Sequence, residues 1–226
     1  MDSKTLKRNL NNNIIIATIP PLSSPCHQYS FIDEKTIKYI EKIIRGSLEY
    51  REFIKYLKTT LDVSSCTFYE GYSLANGLGV EIHHSPLTLY QYVETICRKH
   101  LKLNNGYYDA LDVAEEVTKL HFQFLVGLVP LNPTAHKLVH TDNLKIHPDL
   151  IIGGWKIFLE DYKEWLSESI ENTLAELDEI KKNPSNEIPK ILIKKELYLS
   201  TPFVKLKDNL MNDIVNDKIK KLGEIK

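Results

Sequence analysis

The residues with most to offer chemically are histidines at two spacings. His83 and His84 are adjacent in Glu81-Ile-His-His-Ser-Pro86, and His136 and His140 stand four apart in Pro133-Thr-Ala-His-Lys-Leu-Val-His140. Asn132 is a preferred N-cap and Pro133 suits the first helical position, so a helix is expected from there. Residues four apart on a helix share a face, and two imidazoles so placed can share a divalent ion. If the two clusters meet, three imidazoles hold one ion and leave coordination positions open. If all four bind, the site is closed and structural.

His-His-x-Pro on a strand, the run Leu128-Val-Pro-Leu131 and a helix carrying His-Lys-Leu-Val-His together resemble the ββα-metal site of HNH endonucleases, most closely the colicin-type arrangement with four histidines. The chain is also similar to a group of bacteriophage proteins that share Glu-Ile-His-His-Ser-Pro and Leu-Val-Gly-Leu-Val-Pro-Leu, over roughly Glu49 to Tyr162. The HNH resemblance implies metal-dependent hydrolysis of DNA phosphodiester bonds. It assigns one divalent ion (Mg, Mn or Zn) to His83, His136 and His140, with His84 as the general base that activates water. The alternative is a catalytically inactive protein on the same frame, serving in DNA binding or assembly. Two positions depart from the pattern: Gly127 stands where such nucleases carry an Asn that orients the base, and Asn132 and Ala135 stand where many carry a Cys-x-x-Cys knuckle. His121, on an apolar helical face, is either a substitute for that Asn or a satisfied core histidine.

Adjacent residues of a flat strand point to opposite faces, so Val80, Ile82 and His84 look one way and Glu81 and His83 the other. For His83 and His84 to enter one cleft, the strand must twist at its end, and Pro86 marks where the chain leaves the sheet. Glu81 is read either as a surface carboxylate or as a partner for an imidazole N–H. His147, ahead of Pro148, is a further candidate ligand or an incidental loop histidine.

The rest of the chain must supply support. With 226 residues, 42% hydrophobic and 26% charged, it can build one substantial core with helical appendages. A net charge of −1 excludes a protein that coats DNA, so any nucleic-acid contact must be local. Arg98-Lys99-His100-Leu-Lys102 and Lys181-Lys182 with Lys190, Lys194 and Lys195 are the candidates, or else ordinary solvated faces. No apolar run has the length of a membrane span, and Cys26, Cys66 and Cys97 read as reduced, buried thiols. The expected place is the cytoplasm, that of the host cell if the protein is phage-encoded.

The expected fold is α+β and mostly helical: a ββα-metal (His-Me finger) core with a helical insertion, a long helix after the core, and a C-terminal strand and helix. Three regions follow: a polar arm over 1–30, a helical segment with the HNH-like core over 31–152, and an extension over 153–226. Apolar spacing predicts two helices, or one bent near Gly46, over 33–62, where Tyr50, Arg51 and Tyr56 either finish a packed face or reach a phosphate. A hairpin is expected between 66–69 and 78–84, then helices over 86–102 and after Asp109. Gly153-Gly154 frees a turn. One long helix is expected over 155–182, its apolar stripe available to a second copy as a homodimer face and its other face acidic. A strand over 188–199 and a helix over 204–222 complete the reading.

Overall fold

The computed structural model describes residues 27–69 and 71–182. β1 (Gln28–Tyr29) leads to α1 (Glu34–Gly46), which begins where the Asp33 carboxylate accepts the Thr36 N–H at 2.7 Å. Ile37, Ile40 and Ile44 then line one buried face of that helix. Ser47 ends α1 and starts α2 (Leu48–Thr59), its Oγ accepting the Tyr50 N–H at 3.1 Å, so 33–62 is two helices broken at a cap. After β2 (Glu81–His84), Thr88 and Gln91 form a reciprocal capping box that opens α3 (Leu89–Leu103). β3 (Tyr108–Asp109) runs into α4 (Ala110–Phe122), capped by Asp109. β4 (Leu128–Leu131) is followed at once by α5 (Pro133–His140), with Asn132 as N-cap and Pro133 in the first turn.

The result is a mostly helical α+β fold with two small antiparallel sheets. One joins β1 to β3, so the last residues of the expected polar arm are paired. The other joins β2 to β4, with His83 opposite Val129 and His84 opposite Leu128. This ribbon lies between two apolar clusters. Leu128, Phe53, Tyr92, Val113 and Val117 belong to the larger, built by α1 to α4, and Ile82 packs against it. Val129 and Leu131 belong to the smaller, with Ala135, Ile151 and Trp155.

Two expectations are corrected. The segment 66–69 is not the hairpin partner of 78–84. Cys66 N–H bonds to the Tyr72 carbonyl at 2.8 Å, closing a local loop, while β2 pairs with the more distant β4. Alternate residues of β4 fill both apolar clusters, so the non-local pairing buries apolar side chains on both faces of the ribbon, and Thr67 N–H bonds to the Pro130 carbonyl of β4 at 2.9 Å instead of to β2. The helix over 155–182 is also not continuous: α6 (Trp155–Asp161), a tight turn over Lys163–Trp165 and α7 (Glu168–Lys182) replace it. Ser167 makes the break. Its carbonyl accepts the Ile170 N–H at 2.9 Å and its hydroxyl donates to Glu94 at 2.9 Å, fixing a new helix start against α3. Trp155, Phe158, Ile170 and Leu177 are buried in the chain's own clusters, so these apolar positions are covered from within. The expected strand over 188–199, the helix over 204–222 and most of the arm lie outside the described residues.

Gly127 marks the tightest point. A Cβ there would stand 1.9 Å from the Ser85 carbonyl oxygen, so no side chain, and hence no Asn, fits. Close approach also lets the Ser85 N–H reach the Gly127 carbonyl at 3.0 Å, while the Gly127 N–H donates to Tyr92 Oη at 2.9 Å. Gly127→Ala is expected to destabilise the fold by about 3 kcal/mol, because both colliding groups are backbone. Urea unfolding of the variant beside the native chain measures this.

Candidate metal centre

Antiparallel pairing with β4 aims the Glu81 and His83 side of β2 toward α5, whose first and last turns carry His136 and His140. One ligand nitrogen from each of His83, His136 and His140 lies within 4.8 Å of the others. The ring centroids of His83 are 5.0 Å from those of His136 and 5.1 Å from those of His140. His136 Nε2 and His140 Nε2 are 3.0 Å apart. One ion at zinc–nitrogen distance needs its nitrogens roughly 3.4 Å apart, so this set fits a shared ion with little movement.

The chemistry of the donors fits as well. Burial, then the neighbouring imidazoles, lower His83 to about 4, so at neutral pH it offers a lone pair rather than a charge. His136 Nδ1 is hydrogen-bonded to Glu81. A carboxylate only accepts, so Nδ1 carries the hydrogen and Nε2 is the free donor atom facing His140. Of the two roles open to Glu81, it takes the partner of an imidazole.

The fourth histidine is set apart from these three. His84 faces the larger cluster at 6% exposure, its ring stacked toward Tyr50 and 5.2 Å from that of His121. His84 Nε2 and His121 Nε2 are 2.9 Å apart, and His121 Nδ1 is 2.7 Å from the Val117 carbonyl oxygen. The strand end does not twist enough to bring both adjacent rings to one side, because Ile82 and His84 are held in the core together. His84 is therefore buried on the strand face opposite that of His83, away from His136 and His140. Of the two readings offered for His121, the structure bears out the second: it is a fully buried core histidine whose ring nitrogens are satisfied, by the Val117 carbonyl and by His84. The apolar helical face announced its burial, but nothing in the spacing announced its partner.

Other candidates fall elsewhere. His147 starts the short turn Pro148–Leu150, its Nδ1 accepting the Asp149 N–H at 3.2 Å. Arg51 Nε donates to the Ser47 carbonyl and Tyr50 is buried, so both serve packing. The basic run on α3 is largely neutralised: Arg98 pairs with Glu94, and Lys99 and His100 both bond to Glu116. Burial pushes the Glu116 carboxyl up, but His100, Lys99 and Tyr162 outweigh it and hold it at about 2. This junction of α3, α4 and the turn before α7 was not legible from the sequence, since its members are far apart in the chain. Cys66 and Cys97 are free and buried, as expected.

A family model described as bacteriophage G278-like virion protein matches residues 19–223. No curated protein and no solved structure matches the chain.

The buried histidines make stability depend on pH. Burial lowers His121 from the ordinary 6.5 to about 4, against the bond to Val117, with the Arg45 charge acting in the same sense as burial. As pH falls, the unfolded chain therefore takes up this proton first. The contribution is complete above about pH 6.5 and is lost progressively down to about pH 4. Urea midpoints measured with chelator present are expected to fall between pH 7.5 and pH 4.5, and His121→Gln to flatten that slope.

Proposed function

We propose, for a chain that belongs to the bacteriophage G278-like virion protein family, that it works as a metal-centred module of the particle on an HNH-like frame. In this reading it binds DNA or an assembly partner rather than acting as a free nuclease. The observation that carries this is the division of the four histidines, three gathered between β2 and α5 and the fourth locked in the core. His83, His136 and His140 hold the ion, and Glu81 fixes the tautomer of His136. Neutral imidazoles without a carboxylate ligand suit Zn²⁺ or another late transition ion better than Mg²⁺. The ion joins β2 to α5, adding to the bond between Glu81 and His136. No helix among the described residues is long and apolar enough to cross a membrane.

One observation favours hydrolysis as the second reading. Three ligands leave coordination positions open, and His140 is exposed, so the centre faces solvent. When bound there, a divalent ion supplies polarisation of a phosphodiester and stabilisation of charge on its leaving oxygen. Glu81, half exposed and already bonded to His136, is then the group placed to accept a proton on that face.

Calorimetric titration with Zn²⁺, Mn²⁺ and Mg²⁺, with melting curves alongside, tests the centre. Zn²⁺ is expected to bind and raise the Tm, and His140→Ala to weaken binding roughly 10-fold or more. A native chain whose Tm ignores all three ions sinks the metal reading. Plasmid DNA incubated with the loaded protein separates the two functions. Cleavage abolished by His140→Ala establishes the hydrolase, and intact plasmid retarded on a gel supports the binding module.

A further inference from the structure

The buried pair His84 and His121 has a determinate hydrogen-bond order. The Val117 carbonyl only accepts, so His121 Nδ1, 2.7 Å away, carries a hydrogen. The neutral ring then has a bare Nε2, which accepts across 2.9 Å from His84 Nε2–H. His84 is left as the Nε2–H tautomer with Nδ1 bare. Tyr50 and Phe53 set their ring planes steeply to His121, with centroids 5.2 and 5.5 Å away, and Tyr92 tilts against His84. An apolar residue at either position would pack in such a cage without needing a partner. What two imidazoles add is direction, since each buried polar atom holds only while the other stays in line.

That direction matters because of what stands beside it. β2 is four residues long and hydrogen-bonds to β4 alone among the described strands. Its C-terminal residue is tied through His121 to α4, and the residue before it is His83. We infer that His121 is a positioning residue for the candidate metal centre, acting through His84. The chain Val117, His121, His84 anchors the strand end from which His83 projects toward His136 and His140. This inference rests on the metal reading above and concerns residues that touch no ion themselves.

The test uses the full chain. Histidine ¹⁵N NMR of the metal-free protein is expected to show His84 as the Nε2–H tautomer and His121 as the Nδ1–H tautomer. Cobalt(II) titration follows, with its visible bands reporting coordination. His121→Phe, which removes the acceptor, is expected to weaken cobalt binding roughly 10-fold or more and to alter the bands. His121→Gln, whose Oε1 can accept from His84, is expected to restore most of that loss. Phe53→Leu disturbs the same cage but leaves the hydrogen bond, and is expected to stay within about 2-fold of the native affinity. Native His84 found as the Nδ1–H tautomer overturns the inference, and so does a folded His121→Phe that binds cobalt as tightly as the native chain. Should His121→Phe not fold, the native tautomers and the Gln variant decide by the same criteria. No cobalt binding by the native chain overturns the metal reading and this inference together, whereas binding indifferent to His121 overturns this inference alone.

Discussion

The pairing of β2 with β4 is the constraint from which the rest of the architecture follows, because it inserts a two-faced ribbon between two apolar clusters. Alternation along β2 sends Ile82 and His84 into the larger cluster and leaves Glu81 and His83 toward α5. Alternation along β4 does the same with Leu128 against Val129 and Leu131. A slip of one residue would drive the Glu81 carboxylate into the larger cluster, at the cost of burying a charge, so the register is held by more than its few backbone bonds. Every side chain of the candidate centre takes its direction from that register.

Close backbone approach makes the pairing possible. The ribbon meets the Ser85 turn at Gly127, where only hydrogen fits, and Gly153 repeats the device, a Cβ there falling 2.1 Å from the Val126 carbonyl oxygen. The glycine that departs from the HNH pattern is thus required by packing, and the orienting side chain usual at that place has no room. The buried polar groups around it are satisfied in other ways. Tyr92 takes the Gly127 N–H and His121 takes His84, so the core under the ribbon is held by directed bonds as well as by apolar contact.

Electrostatics separates the two ends of the molecule. Around α3 and α4, Arg98 is paired with Glu94 and Lys99 and His100 with Glu116, which offsets the positive charge that a phosphate backbone would meet. At the other end, His83 is kept neutral by burial and by its fellow imidazoles, the state a metal ligand needs. Together with the near-zero net charge, this concentrates the chemistry of the described residues into one patch between β2 and α5 rather than spreading it along a basic surface.

Local chemistry is what the sequence determined by itself. Asn132 and Pro133 start α5, Ser47 divides α1 from α2, Thr88 and Gln91 start α3, and the four-residue spacing of His136 and His140 puts them on one face. Each depends on neighbours within one helical turn, so the signal is complete in a short stretch. The meeting of His83 with those two was legible only as a coincidence of motifs. Which of two adjacent histidines would face α5, and what the other would touch, belonged to the tertiary structure, because a strand has two faces and only packing says which is inside. The same holds for β2 choosing β4 over the nearby 66–69, and for the helix break at Ser167, which the continuous apolar stripe over 155–182 concealed. In each case the deciding partner lies far along the chain, and its burial, not the local pattern, sets the outcome.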